Sequence, residues 1–533
     1  MTYVLLWSLT LLLLVGVPLG VPTIQGETGQ AGSDAGKSAG LDYVDVTTHH
    51  VLEFGNQHLV YTATAGTLPI FDEARPPQAK MFYVDYVGQE ADATSRPITF
   101  VLNGGPGAAA VYLHLGTLGP QRLAFNADGS LPPAPVQLTL NPFTWLTFTD
   151  LVFIDPIGTG YSHSVPQDES KDRSKTFWSI EEDLKSLTAF IRLYLTRHNR
   201  WLSPKFLVGE SYGGFRAAIL SERLTAEARI ALNGIVLVSP ALEFSLLADD
   251  AYRLLPWILR LPAYAAVARF HGKASLPPNP DTGFATVREI IERFSLTEVL
   301  PGLAQGDAWD ALQAQALYAR LARTIGLPGD LVGRHRGKIT PQVFVKALLH
   351  DTQRLVSLYD GTLTTIDPNP ERTVHSGQDP YLESLTAACT AAFHNYAREA
   401  LHFATDVPYH ALNSQVAKAW DWRSGGNTAE GFAGAAENLQ RALSQNPGLQ
   451  VLIAHGYHDL ATSYFSTVFV IHQMALDAVT GSHLVLRLYE GGHMFYTHAV
   501  AHEQFARDAR VFFHSALPPA GKRPAGPLVP TSP

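Results

Sequence analysis

Gly209-Glu210-Ser211-Tyr212-Gly213-Gly214 follows the apolar run Lys205 to Val208 and precedes a helix-like run from Phe215 to Leu224. A strand, a tight glycine-flanked turn with a central Ser and then a helix is the setting of a nucleophile elbow. Such a Ser sits at a strained backbone position, and a Cβ on either side would crowd strand against helix. A surface Gly-Ser turn shares the pattern, so the flanking chain has to decide between them.

Working outward, short apolar runs alternate with helical patterns. They are Ile98 to Leu102, Leu151 to Ile154, Lys205 to Val208, Ile235 to Val238, Val451 to Ala454 and Leu484 to Leu488. Strands apolar on both faces, separated by helices, predict a parallel sheet covered on two sides. Ahead of them, Val51 to Val87 holds alternating runs that read as antiparallel strands. Ser179 and Glu182 form a capping-box pattern before a helical stripe of Ile180, Leu184, Leu187, Phe190, Ile191 and Leu195. Thr497 to Phe513 reads as a closing helix. Its His498 and His502 lack the H-E-x-x-H order and are expected on an ordinary helix surface rather than on zinc. Between Ser239 and about Gly448 helical patterns dominate, as in Ala308 to Ile325 and Pro341 to Leu348. This stretch is expected to be a cap inserted between two strands, over the strand C-termini where open α/β sheets bind ligands.

A chain of 533 residues can bury a large core. Hydrophobic residues make up 46% and charged residues 16%, which excludes a disordered chain. Lys and Arg number 39 against 48 Asp and Glu, a net charge of −9 without a dense basic cluster, so nucleic acid is not expected as a partner. Cys389 is the single cysteine, which rules out an intrachain disulfide and Cys-based metal motifs. Val4 to Val17 reads as the apolar region of a secretory signal, with a membrane anchor as the alternative. Export without disulfides favours a periplasmic, cell-envelope or secreted protein of bacterial type. Gly26 to Gly40 has linker composition, and a Pro-rich tail runs from about Pro518.

A Ser nucleophile needs a base, an orienting acid and an oxyanion hole. In elbow-type hydrolases the order is Ser, Asp or Glu, then His. Val451 to Ala454 runs into His455-Gly456-Tyr457-His458-Asp459, and Leu484 to Leu488 into Tyr489-Glu490-Gly491-Gly492-His493. Loops at strand ends carry catalytic residues in this architecture. His493 is therefore the expected base and Asp459 its partner, while His455 and His458 precede any acid and are expected to pack in their loop. The oxyanion amides are expected from Tyr212 and from the turn Asn103-Gly104-Gly105-Pro106-Gly107, which follows a buried strand.

Asn103 to Gly107, Asp155-Pro156-Ile157-Gly158-Thr159-Gly160-Tyr161-Ser162, Gly209 to Gly214 and the Asp459 and His493 loops together resemble the serine carboxypeptidases, peptidase family S10. Order and approximate spacing match from about residue 50 to residue 515. Leu261 to Ala266 and Asp421-Trp422 look like the bacterial branch of that family. The resemblance implies an α/β-hydrolase fold with a mostly parallel central sheet and a large, mainly helical cap insertion. It implies removal of C-terminal residues from peptides, with Ser211 as nucleophile, His493 as base, Asp459 as its partner, and Gly105 and Tyr212 as oxyanion donors. In the family the Asn of the NGGPG turn and the Glu before the nucleophile bind the terminal carboxylate of the substrate. These map to Asn103 and Glu210, with the Gly104 amide joining them. No cofactor and no metal is implied, and the partner is a peptide with a free C-terminus. A membrane contact is expected only if the N-terminal segment stays uncleaved. An esterase or acyltransferase on the same scaffold, or a non-catalytic binding protein, are the alternatives.

The expected organisation is 1–20 signal or anchor, 21–45 linker, 46–240 first part of the core, 241–447 helical cap, 448–516 second part of the core and 517–533 tail. Glu210 must be protonated to donate to another carboxylate, whereas His493 must be neutral to act as base. Activity is therefore expected at mildly acidic pH. Two departures stand out. Ala108-Ala109-Ala110 replaces the Cys-Ser-Ser of many members. Thr117 stands where well-known members carry a second Glu paired with the first, so Glu210 is expected to hold its proton less tightly. Met494, beside His493, is expected to help set side-chain preference.

Overall fold

The computed structural model describes residues 44–54, 57–71, 77–89, 92–165, 174–275, 284–423 and 432–517. The signal or anchor, the linker up to residue 43 and the tail from residue 518 lie outside the described residues.

Nine strands form the path of the main sheet: β1 (Val46–Phe54), β2 (Gln57–Ile70), β3 (Ala79–Gly88), β4 (Ile98–Leu102), β5 (Asp150–Ile154), β6 (Lys205–Glu210), β7 (Gly234–Val238), β8 (Gln450–Gly456) and β9 (Leu484–Tyr489). Their order is β1-β2-β3-β5-β4-β6-β7-β8-β9, and the short strand His163–Ser164 pairs β3 off this path. The first three strands are an antiparallel meander, and β3 joins β5 antiparallel. From β5 onward every neighbouring pair is parallel. The pattern follows from composition. β4, β5 and β7 are buried along their whole length, as strands covered on both faces must be. β9 is only partly buried because it closes the sheet at an edge.

Alternate residues of each strand feed two separate cores, one on each side of the sheet. Leu207, Ile235, Leu237 and Ile453 pack with Leu184, Phe190 and Ile191 of α1 (Ile180–Arg197). Phe206, Val208, Val236 and Leu452 pack with Phe505 and Phe513 of the closing helix. Phe206 and Phe513 stack with ring centroids 4.0 Å apart. Each such buried side chain contributes about 1.5–3 kcal/mol, which makes the two layers the main stabilising term. α1 starts where expected: the Ser179 hydroxyl accepts the Glu182 amide at 3.2 Å.

The closing helix runs Ala499–Ala516, after a 3-10 turn at Phe495–Thr497. His498 and His502 do not lie on an ordinary helix surface. They are 9% and 1% exposed, because His498 faces Asp360 and His502 faces the segment around Thr117.

Between β7 and β8 the described residues form mostly helices, among them Leu261–Phe270, Ala311–Ile325 and Pro380–Glu399, and one two-stranded ribbon of Arg354–Val356 with Thr364–Ile366. The turn of this ribbon reaches back to the sheet: Gly361 N–H donates to His458 O at 3.0 Å, and Leu460 N–H to Leu358 O at 3.1 Å. The chain reverses its direction of strand addition at β4, which lies between β5 and β6. The C-terminal ends of β4 and β6, where Leu102 pairs Gly209, therefore open onto the crevice that binds ligands in such sheets.

Candidate active site

Ser211 sits between β6 and α2 (Tyr212–Ala228) at φ 60°, ψ −123°, a conformation that non-glycine residues rarely adopt. The strain is held from both sides: Ser211 N–H donates to Val238 O at 2.9 Å, and Ser211 O accepts from Gly214 N–H at 2.9 Å. The strand and helix meet so closely that a Cβ on Gly209 would lie 2.0 Å from Gly213 O. The turn is an elbow, and its glycines are required by contact.

His493 stands in the loop after β9, 2% exposed. Its Nδ1 lies 2.8 Å from Asp459 Oδ2. Asp459 is fully buried, and its Oδ1 accepts the Ala461 and Thr462 amides at 2.8 and 2.9 Å. The Thr462 hydroxyl donates to Asp459 Oδ2 at 2.8 Å and lies 3.0 Å from His493 Nδ1. Asp459 thus fixes the proton on Nδ1 and leaves Nε2 as the accepting nitrogen. The next helix begins at Tyr464 behind Ser463, so Asp459 does not cap it. Burial pulls the imidazolium of His493 down, but the Asp459 charge and hydrogen bond, with Glu210 adding to them, outweigh it and hold its pKa above the ordinary value.

The turn after β4 lies against the elbow. A Cβ on Gly104 would come within 2.6 Å of Tyr212 N, so only glycine leaves that amide open. As the first residue of α2, Tyr212 has an N–H without an intrahelical acceptor. Gly105 has φ +99° and lies beside Ser211 in both cavities described below. Asn103 is 1% exposed, and its Oδ1 accepts Leu113 N–H at 3.0 Å, which leaves its amide nitrogen for Glu210. Arg216 Nη1 donates to Asn103 O at 2.7 Å, while its Nε and Nη2 grip Asp183 at 2.7 and 3.1 Å.

Glu210 is 4% exposed. Burial pushes its carboxyl up to about 7, against the His493 charge and the hydrogen bonds from Tyr496 and Asn103. Thr117 brings no second carboxyl to Glu210, whose proton is held by its surroundings instead. Thr117 is buried, and its carbonyl accepts from the Asn141 amide and, at 3.4 Å, His502 Nε2. Desolvation, with the Asp459 charge adding to it, keeps Glu210 protonated below neutrality.

Two cavities flank Ser211. A narrow one of about 60 Å³ is lined by Asn103, Gly104, Glu210, His493 and Met494, with Tyr112, Leu382 and Leu412 as apolar walls. A wider one of about 510 Å³ lies beyond Tyr212, bounded by Ala241, Phe244, Leu247, Ala248 and Asp249. Tyr359, from the ribbon turn, lines both, and its ring meets His493 edge-on at 5.3 Å. Every candidate residue named from the sequence is brought to this place. His455 and His458 are not: burial pushes both down to about 4, and His455 belongs to β8 rather than to its loop, bonded to the Thr467 hydroxyl at 2.9 Å.

Five contributors escaped the sequence. Thr462 and Tyr496 each stand three residues past a named site residue, a local signal that was present. Arg216 lies one helical turn past Tyr212. Tyr359 and Asp360 come from the insertion, and no local pattern marks them.

The model of the serine carboxypeptidase family matches residues 65–251. The pheromone-processing carboxypeptidase KEX1 of Saccharomyces cerevisiae is 32% identical over 158 residues, 28% of this chain and 20% of its own length. Serine carboxypeptidase-like 29 of Arabidopsis thaliana is 33% identical over 135 residues, 25% of this chain and 26% of its own. The chain thus spans about a fifth to a quarter of the length of these relatives. They are fungal and plant proteins, so the bacterial-branch resemblance finds no support among them. The crystal structure of the prohormone-processing carboxypeptidase KEX1(delta)p from Saccharomyces cerevisiae superposes with a TM-score of 0.53, over 85% of this chain and 91% of that one, at 15% identity. That likeness shows the fold. The chain thus has an α/β-hydrolase fold, and over residues 65–251 it matches the serine carboxypeptidase family model.

Proposed function

We propose that this protein is a serine-type carboxypeptidase that removes C-terminal residues from peptides through an acyl-enzyme on Ser211. The observation that carries this reading is Glu210: a buried carboxyl, protonated below about pH 7, beside the nucleophile and within reach of the Asn103 amide. A neutral carboxyl and an amide nitrogen are donors matched to a carboxylate, and an ester or an internal peptide bond presents none there.

Ser211 Oγ attacks the carbonyl of the last peptide bond, and His493 Nε2 takes its proton. Asp459 stabilises the imidazolium that forms. The amides of Tyr212 and Gly105 receive the oxyanion, each donor contributing about 10²–10³ in rate. His493 then gives its proton to the departing amine, and the C-terminal residue leaves. Water, deprotonated by the same His493, releases the acyl group. Terminal-carboxylate binding by Glu210, Asn103 and the Gly104 amide places the last residue in the narrow cavity and the residue before it towards the wider one. Glu210 must keep its proton while His493, raised above its ordinary value, loses its own, so the best pH falls in a narrow, mildly acidic range just below about 7. Export, with the peptide substrate met outside the cytoplasm, is supported by the apolar stretch Val4 to Val17, and N-terminal sequencing of the mature protein tests it.

Blocked dipeptides with a free or an amidated C-terminus, and a p-nitrophenyl ester, incubated across pH 4 to 8, test the reading. Selective release from the free acid is the expected result. Cleavage of the ester alone would assign an esterase instead.

A further inference from the structure

Tyr496 hydroxyl donates to Glu210 Oε2. The Tyr496 ring is 1% exposed and lies so close to Gly116 that a Cβ there would approach it to 2.8 Å. Its carbonyl is held by Arg122 Nη2 at 3.3 Å. The hydroxyl therefore has no room to swing away from Glu210.

A carboxyl has two oxygens, and only one can carry the proton. When Oε2 accepts a hydrogen bond from a neutral phenol, the acid proton belongs on Oε1. We propose that Tyr496 is a positioning residue that fixes the proton of Glu210 on Oε1, so that the carboxyl acts as a donor to the terminal carboxylate of the peptide. This rests on the carboxypeptidase reading.

The groups that face Glu210 agree with such a role. His493 and Asp459 are the charged ones, from the loops after β9 and β8, and they act on it with opposite sign. Asn103 adds a neutral donor from the turn after β4. Tyr112, Tyr359 and Cys389 also feel its charge, and Tyr381 and Cys389 face Tyr496. Burial raises these four groups far above neutral pH, so none of them ionises where Glu210 does. A tyrosine at this place orients a proton without adding a second titrating acid.

The test measures binding of a blocked dipeptide, as free acid and as amide, to the full chain carrying Ser211→Ala, from pH 4 to 8, by calorimetry. The expected parent result is preference for the acid, fading as pH rises through about 7. Adding Tyr496→Phe should reduce the preference about tenfold at pH 5, as loss of one oriented hydrogen bond does. It should also move the fading point to higher pH, because the lost donor favoured the ionised carboxyl. With Glu210→Gln present, Tyr496→Phe should leave the pH dependence where it was. An undiminished preference with an unmoved midpoint would overturn the inference. So would equal weakening of acid and amide, the mark of a merely structural tyrosine. A parent without any preference for the acid would instead overturn the carboxypeptidase reading on which the inference rests.

Discussion

Asp360 Oδ2, carried by the ribbon turn between β7 and β8, lies 2.7 Å from Nε2 of His498. The same oxygen accepts Gly492 N–H at 3.0 Å, and the neighbouring Tyr359 carbonyl accepts His493 N–H. The segment between β7 and β8 therefore grips the loop that bears His493 on both sides of that residue. Asp360→Ala should cost about 3 kcal/mol, because it strips a buried ring and a buried amide of their acceptor at once. Burial pulls the Asp360 pKa up, but the His498 hydrogen bond and charge outweigh it and the net shift is downward from 3.8. Burial pulls His498 down, and Asp360 outweighs it to a net rise from 6.5. The Asp contribution is present above 3.8 and lost as pH falls through its folded value. The His contribution is present below 6.5 and lost as pH rises through its folded value. Urea unfolding of parent and variant should thus differ most between about pH 4 and 6.5 and less at pH 9. A difference independent of pH would mean that the pair is not charged.

Arg216 is 1% exposed, pairs with buried Asp183 and holds the Asn103 carbonyl. Arg216→Met leaves Asp183 buried without its cation, at a cost of about 3–5 kcal/mol. It also frees the turn that carries Asn103, so KM for a free-acid peptide should rise by more than kcat falls. Steady-state kinetics at a temperature well below the melting point separate the two effects. A loss confined to kcat would contradict the positioning of Asn103 through Arg216.

The backbone of Ser211 favours glycine at φ 60°. Ser211→Ala should abolish activity and melt near the parent, since it keeps a Cβ at the strained position. Ser211→Gly should also be inactive but melt higher than Ser211→Ala by about 1 kcal/mol of stability. Calorimetry on the two variants checks the order. A lower melting point for the Gly variant would mean that the elbow is not strained.

Glu210 also weighs on stability. Burial raises its pKa from 4.5 to about 7, so the folded state binds a proton that the unfolded chain releases. Stability is lost from this group as pH rises from 4.5 through about 7, and the loss levels off above that. Glu210→Gln should therefore gain on the parent in urea midpoint from pH 5 to about 7 and level off towards pH 8. A constant gap across that range would place the carboxyl at an ordinary pKa.

Much of this site was legible because its parts sit at strand ends. Ser211, Asp459 and His493 each follow an apolar run, and the required chain order picks them out among other polar residues. The strands β4 to β8 were legible for the same reason, being buried on both faces. What escaped depends on distance in sequence. Asp360 and Tyr359 reach the base loop from an insertion whose helical texture says nothing about where its ribbon turn lands. What holds the proton of Glu210 was not legible either, because burial is a property of the packed layers. His498 and His502 were placed outside because a helix surface pattern cannot show that the NGGPG-side segment and the ribbon turn would close over it.

The most direct measurement is the pH profile of kcat/KM for a blocked dipeptide with a free C-terminus, in the parent and in Glu210→Gln. The parent profile should fall as pH rises through about 7, where Glu210 loses its proton. In Glu210→Gln the amide donates at every pH, so the optimum should move upward and the alkaline fall should vanish. An unchanged profile in Glu210→Gln would contradict Glu210 as the group that reads the end of the peptide.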